Sequence, residues 1–409
     1  MNNNRTIILT GAGAAIPWGA PTTSDITKVL LADRTFKSYT GQPVGDWLHH
    51  KLTGLYHKDP ETVNFETIVN ALDYLLTFFS SKQRESVSKF KNLMPAFFEE
   101  KDDIWEILWF DKIYEKDKGT WHSHNERFKF YSFWNDSDHF FESVYRYFIN
   151  RIISLIEEYS KTINEKTALN NCLNEFLDSI KNPLRCYTTN YDRIIPAVYK
   201  GEMFEGFTKD GDDLKFDLKK VLTDETSNTY YNLHGSVHYD IDWPGNVKYA
   251  PDKFIYDFGR GASDHSDQDK RKIINSNIIT GFNKPSRILT NPYSQFYLRF
   301  YQDCLFADKI FIVGYSFSDI HINNAIKAAS LANKDLKIIC VAYMVYDMEI
   351  DMETEYDWIT LEGRGKNFLA EDFSHNIFEG VADIKNVDRI SIYRKGFQKF
   401  LERKQWEKN

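Results

Sequence analysis

Residues 5–23 read RTIILTGAGAAIPWGAPTT, and this stretch decides the fold class. Its first part is a short, mostly apolar run that is typical of a buried strand. Gly11 and Gly13 permit a tight turn, and Thr22 and Asp25 have the spacing of a capping box, so a helix should begin directly after Thr22. Such a unit can receive the phosphates of a nucleotide, or it can be only a tight strand-to-helix turn.

The glycine pattern differs from the dinucleotide fingerprint of dehydrogenases. That fingerprint has a third glycine where this chain has Ile16, and it has an acidic residue at the end of a second strand about 20 residues further on. Asp33 lies at the right distance but in a helical context. The stretch therefore argues against a standard dehydrogenase.

Composition limits the class of protein. The chain has 409 residues, enough for two structural units, and a formal net charge of -8, which disfavours direct binding of nucleic acid. The N-terminus is not that of a signal peptide, and no apolar run is long enough for a membrane span. We expect a cytoplasmic protein.

The cysteines are scattered and form no CxxC pair, so we expect no structural zinc site. They are Cys172, Cys186, Cys304 and Cys340. Cys186 and Cys340 lie in apolar, strand-like runs, which predicts buried core thiols.

Further strand-like runs are almost continuously hydrophobic, which is typical of parallel strands covered on both faces. They are 184–189, 230–235, 287–290, 309–316 and 336–345. Helical periodicity marks other segments, which are 65–79, 141–159, 169–180, 322–329 and 390–406. The sequence predicts an α/β fold, a Rossmann-like, mostly parallel sheet with helices on both faces.

The predicted first and second strands are separated by far more residues than one crossover helix needs. We therefore predict a Rossmann-like core formed by residues 1–34 and 184–346. Residues 35–183 are expected to form a large helical insertion. Residues 347–409 are expected to be a C-terminal extension with a terminal helix.

Polar residues follow the second strand in TTNYD, residues 188–192. Open α/β sheets bind ligands beyond the carboxyl ends of their strands, so Asn190 and Asp192 can both face a ligand there. Alternatively, one of them caps the helix that follows.

Two more polar stretches follow strands. LHGS at 233–236 offers His234, which can be a general base near neutral pH or a structural histidine. VGYSFSD at 313–319 offers a hydroxyl and backbone N–H groups. We interpret Asp319 as the cap of the next helix.

The order of these motifs resembles that of the sirtuin family, and most closely its bacterial sirtuin-like branch associated with phage defence. The motifs are GAG at 11–13, TTNYD at 188–192, LHGS at 233–236 and GYSFSD at 314–319. The resemblance implies that NAD binds on the Rossmann-like sheet and that the bond between nicotinamide and ribose is broken.

The resemblance also implies roles for residues. Asn190 would hold the nicotinamide-side ribose and a water, Asp192 would help to place the carboxamide, and His234 would be the base near the ribose hydroxyls. The glycine turn would contact the pyrophosphate, the 314–316 segment would lie along the adenosine, and the 16–17 segment would lie beside the nicotinamide. The implied binding residues are Gly11, Ala12, Gly13, Ile16, Pro17, Thr189, Gly314 and Ser316.

The chain departs from the family in three places. The usual G-I-P-D-F-R segment lacks its Asp, Phe and Arg in AIPWG, residues 15–19, and the usual T-Q-N-I-D appears as TTNYD at 188–192. The zinc cysteines that help to shape the acyl-lysine cleft are absent. We therefore predict an NAD glycohydrolase that uses water as the nucleophile and needs no zinc. The alternatives are an NAD-dependent protein deacylase or ADP-ribosyltransferase, and a non-catalytic sensor of NAD or ADP-ribose.

The resemblance implies a biological setting as well. An enzyme that depletes NAD during phage infection must be silent in healthy cells, so we expect control by homo-oligomerisation or by a separate partner. Related proteins act with a HerA-type ATPase or a short Argonaute. We expect no direct contact with nucleic acid or membrane.

Overall fold

The structure is a computed structural model of the chain. It describes residues 5–37, 42–56, 60, 63–79, 113–115, 120–122, 130–180, 183–242, 246–256, 265–266, 272–273, 276–280, 288–343, 358–360 and 389–408. The described α-helices are α1 (Ala12–Ala15), α2 (Thr23–Ala32), α3 (Val44–Tyr56), α4 (Phe65–Phe79), α5 (Phe130–Ser160), α6 (Thr167–Asp178), α7 (Ile194–Val198), α8 (Leu218–Thr223), α9 (Tyr293–Leu305), α10 (Ile320–Ala332) and α11 (Gly396–Glu402). The described strands are β1 (Arg5–Thr10), β2 (Ile113–Glu115), β3 (Thr120–His122), β4 (Arg185–Thr188), β5 (Phe207–Asp210), β6 (Asp213–Phe216), β7 (Thr229–Asn232), β8 (Tyr239–Asp242), β9 (Asn246–Tyr249), β10 (His265–Ser266), β11 (Lys272–Ile273), β12 (Ala307–Val313), β13 (Lys337–Val341), β14 (Trp358–Thr360) and β15 (Ile390–Tyr393).

The central sheet has the strand order β14-β15-β13-β12-β1-β4-β7. Strand β14 is antiparallel to β15, and the other neighbouring pairs are parallel. With helices on both faces, this arrangement confirms the predicted Rossmann-like α/β fold. The carboxyl ends of β1, β4, β7 and β12 meet at one edge, where the polar motifs lie.

Alternating side chains of the strands feed separate hydrophobic layers. Ile8, Cys186 and Tyr230 belong to the layer that includes buried residues of α2 to α6 and α11. Ile7, Tyr187 and Tyr231 belong to the layer that includes buried residues of α8, α9 and α10. Burial raises the pKa of the Cys186 thiol to about 12, as expected for an inert core cysteine.

The start of α2 is confirmed as a capping box. The Thr22 hydroxyl accepts a hydrogen bond from the Asp25 N–H at 3.1 Å, and the Asp25 carboxylate accepts one from the Thr22 N–H at 3.0 Å. The Thr22 hydroxyl also donates to the Asp25 carboxylate at 2.7 Å, and this hydrogen bond, together with that from the Thr22 N–H, lowers the pKa of Asp25. The capping box fixes the start of α2 at Thr23, after the turn that follows β1.

The structure differs from the sequence predictions in two segments. Residues 288–290 form a turn that leads into α9, where a strand was predicted over 287–290. The helix predicted over 390–406 begins only at Gly396, because the preceding RISIY run alternates as a strand and joins the parallel sheet as β15. The sheet therefore extends beyond residue 346, into the predicted C-terminal extension.

The sequence reasoning also missed a small antiparallel sheet of order β5-β6-β9-β8. Its strands precede and follow β7 in the chain, so it brackets the LHGS motif. Phe207 stacks on Tyr249 at 5.0 Å between ring centroids and contacts Tyr239, and these rings join the hydrophobic layer that also contains buried residues of α9.

A buried ionic network lies near the amino ends of β1 and β4. Asp303, which is fully buried at the end of α9, accepts from Arg5 at 2.7 Å, lies 3.1 Å from Arg299 and accepts from the Tyr187 hydroxyl at 2.6 Å. Glu225 adds a second carboxylate and lies 2.9 Å from Arg299. The network ties α9 to the amino edge of the sheet.

Replacing Asp303 with alanine should lower the free energy of unfolding by about 3–5 kcal/mol, because the buried guanidinium groups would lose their main counter-charge. Chemical denaturation measures the difference. Asp308→Ala is the matched control, since Asp308 is exposed and its side chain accepts from the Arg5 backbone N–H; it should change stability by less than about 0.5 kcal/mol. Equal effects of the two substitutions would contradict the importance of the network.

Candidate functional site

The turns after β1 and β12 are interlocked through their backbones. The Gly11 N–H donates to the Val313 carbonyl and the Gly13 N–H donates to the Gly314 carbonyl, both at 2.9 Å. A Cβ on Gly11 would lie 2.7 Å from the Gly314 oxygen. Gly314 has φ +58°, and a Cβ there would overlap the backbone of Gly13 and Ala14. The structure therefore needs these glycines for packing between the two turns.

This packing bears on the predicted pyrophosphate site. The N–H groups of Gly11 and Gly13 are already hydrogen-bonded inside the protein, so a phosphate would meet other groups of the turn. Ala12, the third predicted residue of the turn, is exposed. The contact with a pyrophosphate stays a prediction.

Asn190 is bound to the same turn. Its side-chain amide donates to the Gly11 carbonyl at 3.0 Å, and its N–H donates to the Thr188 hydroxyl at 3.0 Å. The N–H of Thr189, which is half-buried, donates to the Thr10 carbonyl at 2.9 Å. The parallel pairing of β1 and β4 thus brings the TTNYD motif against the glycine turn.

Asp192 is buried beside Asn190. It accepts from the Ile194 N–H at 3.1 Å, which satisfies an N–H at the start of α7, and it is hydrogen-bonded to the Tyr159 and Asn190 side chains. Burial raises the pKa of this carboxyl, although the hydrogen bonds act in the opposite direction. Asp192 thus contacts the first N–H of α7 from the residue before the N-cap position, which is Arg193.

The next residue anchors the motif to the small antiparallel sheet. Arg193 Nε donates to Glu205 at 2.8 Å and to the Tyr249 hydroxyl at 2.6 Å. The loop between β4 and α7 is therefore held from both sides. Nothing in the local sequence pattern indicated this pairing, because Tyr249 is 56 residues away in the chain.

A cavity of about 20 Å³ lies between these polar groups and the end of the glycine turn. Its lining consists of Thr10, Ala14, Ala15, Trp18, Leu173, Asn190, Asp192, Ile194, Ile195, Tyr230 and Phe397. Trp18 is buried and donates from its indole N–H to Asn170 at 2.8 Å. The cavity has room for about one water and offers it polar partners on one wall.

The two residues that the resemblance places beside the nicotinamide, Ile16 and Pro17, are more exposed than Trp18. Ile16 is 47% exposed and Pro17 is half-buried, in a 3-10 turn that ends at Trp18. Trp18, which was not among the predicted binding residues, lines the cavity instead. The wall of the cavity therefore includes the aromatic ring of Trp18.

His234 lies on the other side of the strand ends, against α9 and α10. Its Nε2 is 2.8 Å from the Asp319 carboxylate and 3.1 Å from the Tyr297 hydroxyl. Asp319 also caps α10, as predicted, by accepting from the His321 N–H at 2.9 Å. Asp319 and His234 are 85 residues apart in the chain. The sequence analysis therefore identified the local capping role of Asp319 but not its contact with His234.

The 314–319 segment extends from the glycine turn, which Gly314 contacts, to His234, which Asp319 contacts. Gly314 packs on the glycine turn, and the Ser316 side chain is exposed with its hydroxyl 3.0 Å from that of Ser318. The structure thus gathers Gly11, Asn190 and Asp192 in one cluster and holds His234 in another. Gly314 and Asp319 connect the clusters through one short segment.

Residues 185–357 match the sequence family described as a SIR2-like domain. The match covers about two-fifths of the chain and includes Asn190, Asp192, His234 and Gly314. The comparison with curated proteins gives no match. The SIR2-like segment supports the sirtuin-like resemblance of the motifs at the carboxyl edge of the sheet.

A SIR2-like domain implies NAD binding and, more broadly, NAD-dependent activity. The carboxyl edge gathers amide, carboxyl and imidazole side chains with an exposed serine. Among the described residues, no group of His, Cys, Asp and Glu side chains could hold a metal ion. No helix in the described ranges has the length and apolar character of a membrane span.

Gly314→Ala should destabilise the protein by at least about 3 kcal/mol, because the methyl group would overlap backbone atoms and the positive φ would be strained. Thermal and chemical denaturation measure this loss. Gly211→Ala is the matched control: Gly211 has φ +64° but open space around it, so strain alone should cost about 1–2 kcal/mol. Similar losses for both variants would contradict the interlocked turns.

Asp192→Asn should change the pH dependence of stability. The pKa of Asp192 is raised in the folded state, so wild type loses stability as pH rises above the ordinary aspartate range, whereas the asparagine variant has no such loss. The stability of the variant relative to wild type should therefore increase between about pH 4 and pH 7. Denaturant titrations at several pH values measure the trend.

Asp25→Asn provides a control of opposite sign. The pKa of Asp25 is lowered by its hydrogen bonds with Thr22, so its carboxylate contributes stability above the ordinary aspartate range. The variant should therefore become less stable relative to wild type over the same pH interval. A flat or falling trend for Asp192→Asn would contradict the buried-carboxyl interpretation.

Proposed function

We propose that the protein is an NAD glycohydrolase that converts NAD and water to nicotinamide and ADP-ribose. The observation that carries the proposal is the cluster of Asn190 and Asp192 at the carboxyl edge of a parallel sheet, within the SIR2-like segment. The absent zinc cysteines and the Trp18 wall favour water over a peptide as the acceptor.

In the proposed reaction, the bond between the ribose C1′ and the nicotinamide nitrogen breaks, and a bond from C1′ to a water oxygen forms. The electron pair of the broken bond goes to nicotinamide, and the water loses a proton. Asn190 orients the water, which the polar wall of the 20 Å³ cavity supports. Positioning and stabilisation of developing positive charge on the ribose supply the catalysis.

Asp192 and His234 have complementary roles in the proposal. Asp192 receives hydrogen bonds from the nicotinamide carboxamide, for which its place beside Asn190 is suitable. His234 accepts a proton from the ribose hydroxyls or the water, and its contact with the Asp319 carboxylate favours the protonated ring that results.

Regulation is part of the proposal. We propose that the nicotinamide enters the cavity of about 20 Å³ and that the wall formed by Ala14, Ala15 and Trp18 moves to admit the larger ring. An enzyme that depletes NAD in anti-phage defence must be inactive until a trigger arrives, and so narrow a cavity suits such a form. We propose that homo-oligomerisation or a separate partner, such as a HerA-type ATPase or a short Argonaute, opens the site.

The test is release of nicotinamide from NAD by the full chain, alone and with the product of the neighbouring gene, followed by chromatography. Wild type should release nicotinamide and ADP-ribose in at least one sample. Asn190→Ala and His234→Ala should each reduce the rate by about a hundredfold or more, because water orientation or proton transfer is lost.

Asn324→Ala and His50→Ala are the matched controls, since both residues are exposed on helices outside the site and should leave the rate unchanged. NAD binding without any product would support the sensor alternative and overturn the proposal. Loss of acetyl groups from a lysine peptide that depends on NAD would support a deacylase instead.

A further inference from the structure

The buried hydrogen-bond contacts of the His234 ring involve its Nε2 atom. Its Nε2 lies 2.8 Å from Asp319 Oδ2 and 3.1 Å from the Tyr297 hydroxyl, and the Tyr297 O–H donates to the same carboxylate oxygen at 3.3 Å. His234 is 6% exposed and Asp319 is 4% exposed, so water screens this contact little.

The Asp319 carboxylate is itself held in place. Its other oxygen accepts from the N–H groups of His321 and Ile322, at 2.9 and 3.4 Å, at the start of α10. The Tyr315 hydroxyl accepts from the Asp319 N–H and donates to the Asp319 carbonyl, each at 3.1 Å. The carboxylate therefore cannot turn away from His234 without losing the cap of a 13-residue helix.

An ionised carboxylate only accepts hydrogen bonds, so the Nε2 that faces it carries a proton. In a neutral imidazole the lone pair then lies on Nδ1. The contact thus selects one tautomer before any substrate binds.

We propose that Asp319 is a positioning residue that holds His234 in its Nε2–H tautomer, so that Nδ1 is the basic nitrogen of the site. The inference rests on the proposed function, in which His234 accepts a proton. Asp319 is the last residue of the 314–319 segment, and Gly314, its first residue, packs against the glycine turn after β1. The position of the Asp319 carboxylate, and with it the orientation of the His234 ring, therefore depends on the packing of these turns. Asp319 acts through His234 and needs no contact with the substrate.

The competing interpretation is that Asp319 only caps α10. Asp319→Asn separates the two roles, because the amide oxygen can still cap the helix while the amide N–H₂ replaces the acceptor that faces Nε2. The amide would favour the opposite tautomer, with the proton on Nδ1. Asp217→Asn is the matched control, since Asp217 caps α8 by accepting from the Lys220 N–H at 2.9 Å and contacts no histidine among the described residues.

The experiment combines kinetics with nitrogen-15 NMR of labelled histidines, in which the His234 signals are assigned by their loss in His234→Gln. Wild type should show the Nε2–H tautomer for His234, and Asp319→Asn should show the Nδ1–H tautomer. In the nicotinamide assay, kcat of Asp319→Asn should fall by about tenfold or more while KM for NAD changes by less than about threefold. Asp217→Asn should match wild type in both measurements.

The two readouts separate this inference from the proposed function. If wild type releases no nicotinamide, the proposed function fails, and the tautomer measurement still decides whether Asp319 sets the ring. An Nδ1–H tautomer in wild type would overturn the inference. An unchanged tautomer and kcat in folded Asp319→Asn would overturn it as well, because capping alone would then explain the residue.

Discussion

The contact on which the rest of the structure depends is the backbone packing of two glycine turns. Gly11 and Gly13 meet Gly314 so closely that side chains are excluded, and the hydrogen bonds at 2.9 Å between these turns continue the pairing of β1 and β12 beyond their ends. The carboxyl edge of the sheet is thereby closed by main-chain atoms. These contacts leave no room for a Cβ atom at Gly11, Gly13 or Gly314.

The candidate functional groups depend on this closure from two sides. Asn190 is fixed to the Gly11 carbonyl, and Asp192 is buried behind it. His234 is fixed to Asp319, which ends the segment that Gly314 begins. The loop after β12 therefore orients His234 directly, whereas Asn190 is held by the turn after β1 that packs against this loop.

At the amino ends of the strands, the buried charged groups stabilise the fold. Charged side chains are buried there too, but arginines surround Asp303, and Tyr187 completes its hydrogen bonds. This network holds α9 against the strands. Since α9 also contributes Tyr297 to the His234 cluster, the ionic edge supports the site without taking part in its chemistry.

The sequence by itself determined the sheet class, the capping box at Thr22, the buried thiols and the edge at which the polar motifs gather, because these follow from local periodicity and from hydrogen bonds between near neighbours. It misassigned the RISIY run as helix, missed the small antiparallel sheet and interpreted Asp319 as a cap alone. Only the tertiary structure decided that Trp18 lines the cavity, that the glycines serve packing and that Asp319 faces His234. Each of these contacts joins residues far apart in the chain, and strand order and packing, rather than sequence spacing, set their distances.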